Sequence, residues 1–103
     1  MSDAASQGAA DAGIGALRRT LSIGNKRGLH ARAAAKFVRT AGQFDAVVRV
    51  DFKGQEVSGL SIMGLMMLAA GIGSEIELFC SGRQAVEAMA ALSALVEGKF
   101  GEE

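Results

Sequence analysis

The chain has 103 residues, half of them hydrophobic, with 11 basic and 11 acidic side chains that cancel to zero formal charge. That length allows one domain, able to bury roughly 60–70% of its unfolded-state surface without covalent staples. Balanced charge offers no general attraction to nucleic acid or anionic lipid, and a single cysteine, Cys80, excludes an internal disulfide framework and suits a reducing cytosol.

Residues 1–16, MSDAASQGAADAGIGA, have little to bury and read as a flexible tail. They hold no early basic cluster and no apolar block long enough for a secretory signal. The globular domain is expected over residues 17–98, with 99–103 as a short C-terminal tail. Order begins at LRRTLSI, where alternation turns Leu21 and Ile23 to the core of a first strand. GNKRG, residues 24–28, is turn chemistry. Beyond His30, the positions Ala34, Phe37, Val38 and Ala41 follow helical spacing, and Gly42 offers a stop through the left-handed conformation glycine accepts.

Residues 45–52 alternate again, with Ala46, Val48, Val50 and Phe52 on one face. Lys53-Gly54 predicts a hairpin turn into a third strand, residues 55–58. SIMGLMMLAAG predicts a second helix opening at Ser61 and closing at Gly71, with at least one of Met63, Met66 and Met67 expected in the core. Residues 74–80 form a fourth strand with Ile76, Leu78 and Cys80 inward. Ser81 and Gln84 match a capping box for a third helix, whose packing face would comprise Val86, Met89, Ala90, Leu92, Ser93 and Val96. The order β-α-β-β-α-β-α, with short strands wet on one face, predicts an α+β fold: an antiparallel sheet covered on one side by helices.

The apolar region from Leu60 to Ile76 is broken by Gly64, Gly71, Gly73, Ser74 and Glu75, whereas a membrane span needs about 20 nearly continuous apolar residues. The chain therefore reads as soluble and cytoplasmic. One histidine and one cysteine fall short of a metal site unless carboxylates supply the rest, so no metal and no cofactor is expected. Cys80, in the inward register of a strand, reads as a buried thiol rather than a nucleophile. A Ser-His-Asp triad lacks an evident nucleophile elbow, and GNKRG lacks the spacing of a P-loop. With five Phe and neither Tyr nor Trp, the aromatics are needed inside rather than on an RNA-stacking sheet.

That leaves His30, at the doorway of the first helix in GLHARAAAKFV. The first turn of a helix presents unpaired N–H groups and partial positive charge, so an anion is readily held there. The amides of Ala31 and Arg32 would face a phosphoryl group on the imidazole, and the Arg32 guanidinium could add a charge-assisted contact. On composition and spacing alone two readings stand: a solvated histidine that happens to begin a helix, and a phosphoryl-bearing one.

GLHARAAAKFV closely resembles the active-site segment of the histidine-containing phosphocarrier (HPr) family of the phosphoenolpyruvate-dependent phosphotransferase system. SIMGLMML, residues 61–68, resembles a second family segment in register, and the likeness spans roughly residues 17–96. The resemblance implies a four-stranded antiparallel sheet with three helices on one face. It also implies that His30 accepts a phosphoryl group at Nδ1 from enzyme I and passes it to an enzyme IIA-type acceptor. The chain would then be a stoichiometric carrier, not an enzyme, with Arg32 steadying the phosphate.

Ser61 matches the serine that a dedicated HPr kinase/phosphorylase modifies in many relatives; it also suits an ordinary helix N-cap. Partner docking, by the same resemblance, falls on Ala35 and Arg39 of the first helix and Ile62, Met63 and Met66 of the second. A monomer is expected. The chain departs from the family at Ala33, where proline usually follows the arginine, and at Leu60, where many serine-regulated relatives carry lysine. NKRGLHAR and KFGEE are similar to the nitrogen-related branch, NPr, whereas SIMGLMML is similar to serine-regulated HPr proteins. Two other function classes compete: a non-catalytic regulatory module using the same face, and a nucleic-acid binder, which zero net charge disfavours.

Overall fold

Period-two burial sets the strands. In the computed structural model, which describes residues 16–102, β1 runs Leu17–Ser22, β2 Val47–Phe52, β3 Gln55–Ser58 and β4 Glu75–Ser81. Leu21, Val48, Val50, Ile76, Leu78 and Cys80 all point inward and are buried, together with Ile23 just past β1. The residues between them are wet or half-wet, so one face of the sheet supplies the core. The four strands form one antiparallel sheet in the order β1-β4-β2-β3. Register aligns the core face across the sheet, pairing Leu21 with Ile76, Leu78 with Val50, and Val50 with Val57. Lys53 and Gly54 make the β2–β3 turn at φ 52° and 83°, as a two-residue hairpin requires.

Three helices share that core: α1 (Ala31–Ala41), α2 (Ile62–Met67) and α3 (Ala85–Glu97). Helix α1 buries Ala33, Ala34, Phe37 and Ala41, and packs against both α2 and α3. The fold class and element order expected from the sequence are the observed ones.

Local details differ. Gly42 ends α1 at φ −70°, in the right-handed region, its N–H closing on the Val38 carbonyl at 2.9 Å; no left-handed cap is used. Helix α2 stops at Met67 rather than continuing to Gly71, because Ala69 at φ 56° swings the chain so that Leu68 and Ala70 both reach the core. The Ser81–Gln84 capping box is absent. Ser81 belongs to β4, paired with Val47, and Gln84 is itself the N-cap, its side-chain oxygen accepting from the Asp45 N–H at 2.7 Å.

Helix α3 is rotated accordingly. Ala85, Ala88, Met89, Leu92, Ser93 and Val96 are buried, whereas Val86 is 68% exposed and Ala90 faces solvent. None of Met63, Met66 and Met67 is in the core; all three are exposed. Residues 99–102, expected as part of a tail, pack back on the domain through a 3-10 turn, Lys99–Gly101, that buries Phe100. The flexible tail expected over residues 1–16 lies almost wholly outside the described residues. No described helix is long and apolar enough to cross a membrane.

Candidate functional site

The loop between β1 and α1 is built on a buried asparagine. Asn25 lies wholly inside, its side-chain N–H donating to the Gly28 carbonyl at 2.9 Å and to Glu102 Oε1 at 3.0 Å. Turning the amide over would set its oxygen against two acceptors, so these partners fix its orientation. Gly28 follows at φ 63°, and a Cβ there would stand 2.4 Å from the Ala70 carbonyl oxygen. Only glycine fits both the conformation and the close approach. The next N–H, of Leu29, donates to that same carbonyl at 3.0 Å, and the Leu29 side chain is buried. The loop is thereby clamped to the chain leaving α2.

This clamp delivers His30 as the N-cap of α1, in an extended conformation (φ −75°, ψ 177°) with its carbonyl accepting the Ala34 N–H at 2.8 Å. Its side chain caps nothing. The ring instead places Nε2 against Glu102 Oε2, with both side chains about 14% exposed. Among the described residues, nothing hydrogen-bonds Nδ1.

Glu102 is anchored from three sides. Asn25 holds its other oxygen, Phe100 is buried two residues earlier, and Lys36 of α1 donates Nζ–H to the Phe100 carbonyl at 2.6 Å. The His30 hydrogen bond holds the Glu102 carboxyl below its ordinary range, with the Asn25 hydrogen bond adding to it against the opposing effect of desolvation.

Of the residues marked out by the sequence, Ala31 and Arg32 are exposed in the first turn of α1. Arg32 lines an open depression with Lys26, Arg27, Lys36, Gly101 and Glu102, so four cationic side chains and one carboxylate share a depression beside the histidine. Ser61 sits at the N-cap of α2, its hydroxyl oxygen accepting the Gly64 N–H at 2.9 Å. Ile62, Met63 and Met66 are exposed on α2, Arg39 is exposed on α1, and Ala35 is half-buried. Cys80 is fully buried, and desolvation pushes its thiol up to about 11, which removes it as a nucleophile near neutral pH.

Asn25, Lys36 and Glu102 were not singled out by sequence reasoning. Asn25 read as turn chemistry and Glu102 as tail, and Lys36 received no reading of its own. The one available signal was Phe100, a large apolar residue in a segment too short to bury it without folding back.

A glycine-clamped loop, a histidine at a helix start and a cationic rim are thus assembled by a β-α-β-β-α-β-α chain. The family described as "PTS HPr component phosphorylation site" matches residues 17–98. The chain belongs to the HPr family. It is 51% identical over 86 residues to the phosphocarrier protein HPr of Cupriavidus necator, covering 84% of this chain and 97% of that protein. It is 43% identical over 86 residues to the phosphocarrier protein NPr of Shewanella violacea, covering 84% and 94%. Among solved structures, HPr-C-His from Thermoanaerobacter tengcongensis superposes with a TM-score of 0.81 at 44% identity, covering 84% of this chain and 98% of that one. HPr proteins are carriers within the phosphotransferase system, and this chain is of that phosphocarrier type.

Proposed function

We propose that this protein carries a phosphoryl group on His30, taking it from phospho-enzyme I and handing it to an enzyme IIA-type acceptor. The observation that supports this reading is the setting of the imidazole: seated at the N-cap of α1, partly exposed, beside a rim of Arg32, Lys26, Arg27 and Lys36. A PO₃ group on the ring brings negative charge toward the unpaired amides of the first helical turn, at Ala31 and Arg32. The helix dipole contributes about 0.3–1 kcal/mol there, up to ~2 in good geometry. The cationic side chains of the rim add charge-assisted contacts without burying the group. Such holding is firm enough to orient the phosphoryl and weak enough to release it.

A carrier of this kind turns over nothing by itself. With phosphoenolpyruvate and a cognate enzyme I but no acceptor, the protein takes up one phosphoryl group per chain and stops. Partners reach the ring over half-buried Ala35 and exposed Arg39 of α1 and the exposed Ile62, Met63 and Met66 of α2, and the protein works as a cytoplasmic monomer. Ser61 is the second modification point, where an HPr kinase/phosphorylase would add negative charge at the edge of that surface.

The test is intact mass and phosphorus NMR after incubation with phosphoenolpyruvate and enzyme I. An acid-labile adduct of one phosphoryl group, absent from His30→Ala, is the expected result. Labelling that persists in His30→Ala would remove His30 as the acceptor.

A further inference from the structure

We propose that Met63, Met66 and Met67 form a redox-sensitive modification site: a peroxide oxidises their thioethers to sulfoxides, which closes the α2 face to partners and leaves the fold and His30 intact. This rests on the reading of α2 as the surface on which phosphoryl-transfer partners dock.

The chain holds five methionines and one cysteine. Cys80 is fully buried and its thiol is pushed up to about 11, so a peroxide neither reaches it nor meets a thiolate there. Met89 is sealed into the core at 7% exposure. Met63 and Met67, by contrast, are each 67% exposed, and Met66 is 38% exposed. Among the described residues, the sulfur-bearing side chains that lie open to solvent therefore all belong to one helix of six residues. Met66 and Met67 are the i+3 and i+4 neighbours of Met63, so the three thioethers form a single cluster. The fold does not lean on them. Helix α2 is held by buried Leu65, by Leu68 just beyond it and by the Ser61 cap.

The oxidation is a two-electron oxygen transfer. A sulfur lone pair attacks one oxygen of hydrogen peroxide, the O–O bond breaks, and its electron pair leaves on the second oxygen. That oxygen takes the proton shed by the first, so the products are a sulfoxide and water; sulfur is oxidised and the peroxide reduced. A flexible apolar end has become a polar one. In the free protein water solvates the new S=O group. Under a docked partner that water must be shed, and one polar group buried without a donor weakens binding by about tenfold. Methionine sulfoxide reductases reverse the change, two thiols becoming a disulfide as the oxygen leaves in water.

The test treats the full chain with hydrogen peroxide, removes the excess with catalase, and maps the product by peptide mass spectrometry before enzyme I is added. Met63 and Met67 are expected to gain oxygen first, Met66 more slowly, and Met89 not at all while the amide fingerprint stays native. The map keeps Met1 apart from these. The oxidised protein should then need about tenfold more for half-maximal phosphorylation by phosphoenolpyruvate and enzyme I. Potassium phosphoramidate, a small-molecule donor that docks on nothing, should label His30 equally in both forms. Reduction by methionine sulfoxide reductases should restore the untreated value.

Met63→Leu with Met66→Leu and Met67→Leu keeps the face apolar and removes its sulfur. Whatever the half-maximal concentration of that variant, peroxide treatment should leave it unchanged. Three results would overturn the switch: oxidation of Met89 ahead of the α2 methionines, equal peroxide sensitivity of the triple variant, or an unchanged half-maximal concentration once Met63 and Met67 are fully converted. The untreated Met63→Gln, Met67→Gln protein separates that failure from failure of the docking reading. Impaired docking in it, with no effect of the sulfoxides, would sink the switch alone. Normal docking in it would remove α2 as the partner surface, and the switch with it.

Discussion

Helices α1 and α2 flank the same site and are held in opposite ways. Helix α1 sinks four side chains into the core, and its N-terminal approach is tied by polar contacts through Asn25, Gly28 and Leu29. Helix α2 is six residues long, buries only Leu65 and turns Ile62, Met63, Met66 and Met67 outward. One side of the site fixes a single ring in place. The other offers, beside Ile62, three methionines whose unbranched, polarisable side chains can re-pack against different surfaces. On the proposed function, precision falls where phosphoryl transfer needs one geometry, and softness where several partners would dock.

The two sides meet at one point, and breaking it should have the largest effect. Gly28 approaches the Ala70 carbonyl and the Gly71 Cα so closely that an added Cβ would lie 2.4 and 2.7 Å from them. Gly28→Ala therefore combines left-handed strain with overpacking, for a loss of about 2–4 kcal/mol in chemical denaturation. Gly73 also has positive φ, 85°, but nothing lies within 4 Å of its added Cβ. Gly73→Ala should cost only the conformational part, about 1 kcal/mol. Equal losses in the two variants would mean that the clamp between the β1–α1 loop and the α2 exit carries no weight.

Ser61 tests the weaker side. Its hydroxyl satisfies the Gly64 N–H at the start of a helix with little else to hold it. Ser61→Ala is expected to destabilise by about 1 kcal/mol in thermal unfolding. The same variant should resist a purified HPr kinase that modifies the wild type. Loss of stability without any difference in labelling would confine Ser61 to its capping role.

How much of this was legible follows from which signals are local. Strand alternation at Leu21–Ile23, Val48–Val50 and Ile76–Cys80 gave the sheet, because a buried face imposes a period of two on the residues themselves. His30 was legible as a residue at a helix start, since Ala34, Phe37 and Ala41 reveal the helix behind it. The capping box at Ser81 and Gln84 misled because the same spacing can be claimed by a strand end, and pairing with Val47 won.

The extent of α2 was overestimated because an apolar run does not tell helix from the turn that returns Leu68 and Ala70 to the core. Glu102 lies 72 positions from His30, and no periodicity links them. The contact depends on Asn25 and Phe100 being buried together, which only the folded chain decides. The signal for His30 at a helix start was local, and the polar contacts around it were not.

The outward methionines give the smallest expected effect on stability and the sharpest division between folding and docking. Met63 and Met67 are each 67% exposed, so little apolar area leaves water when the isolated protein folds around them. Replacing each by glutamine keeps an unbranched side chain of good helix propensity and adds a polar end. Met63→Gln with Met67→Gln should shift unfolding by no more than about 0.5 kcal/mol. If these thioethers meet enzyme I, the double variant needs more of the protein to reach half-maximal phosphorylation, while the rate at saturation stays near wild type. A fall at saturation with unchanged half-maximal concentration would instead mean that α2 helps to set the ring's geometry, and the division between a rigid α1 and an adaptable α2 would fail.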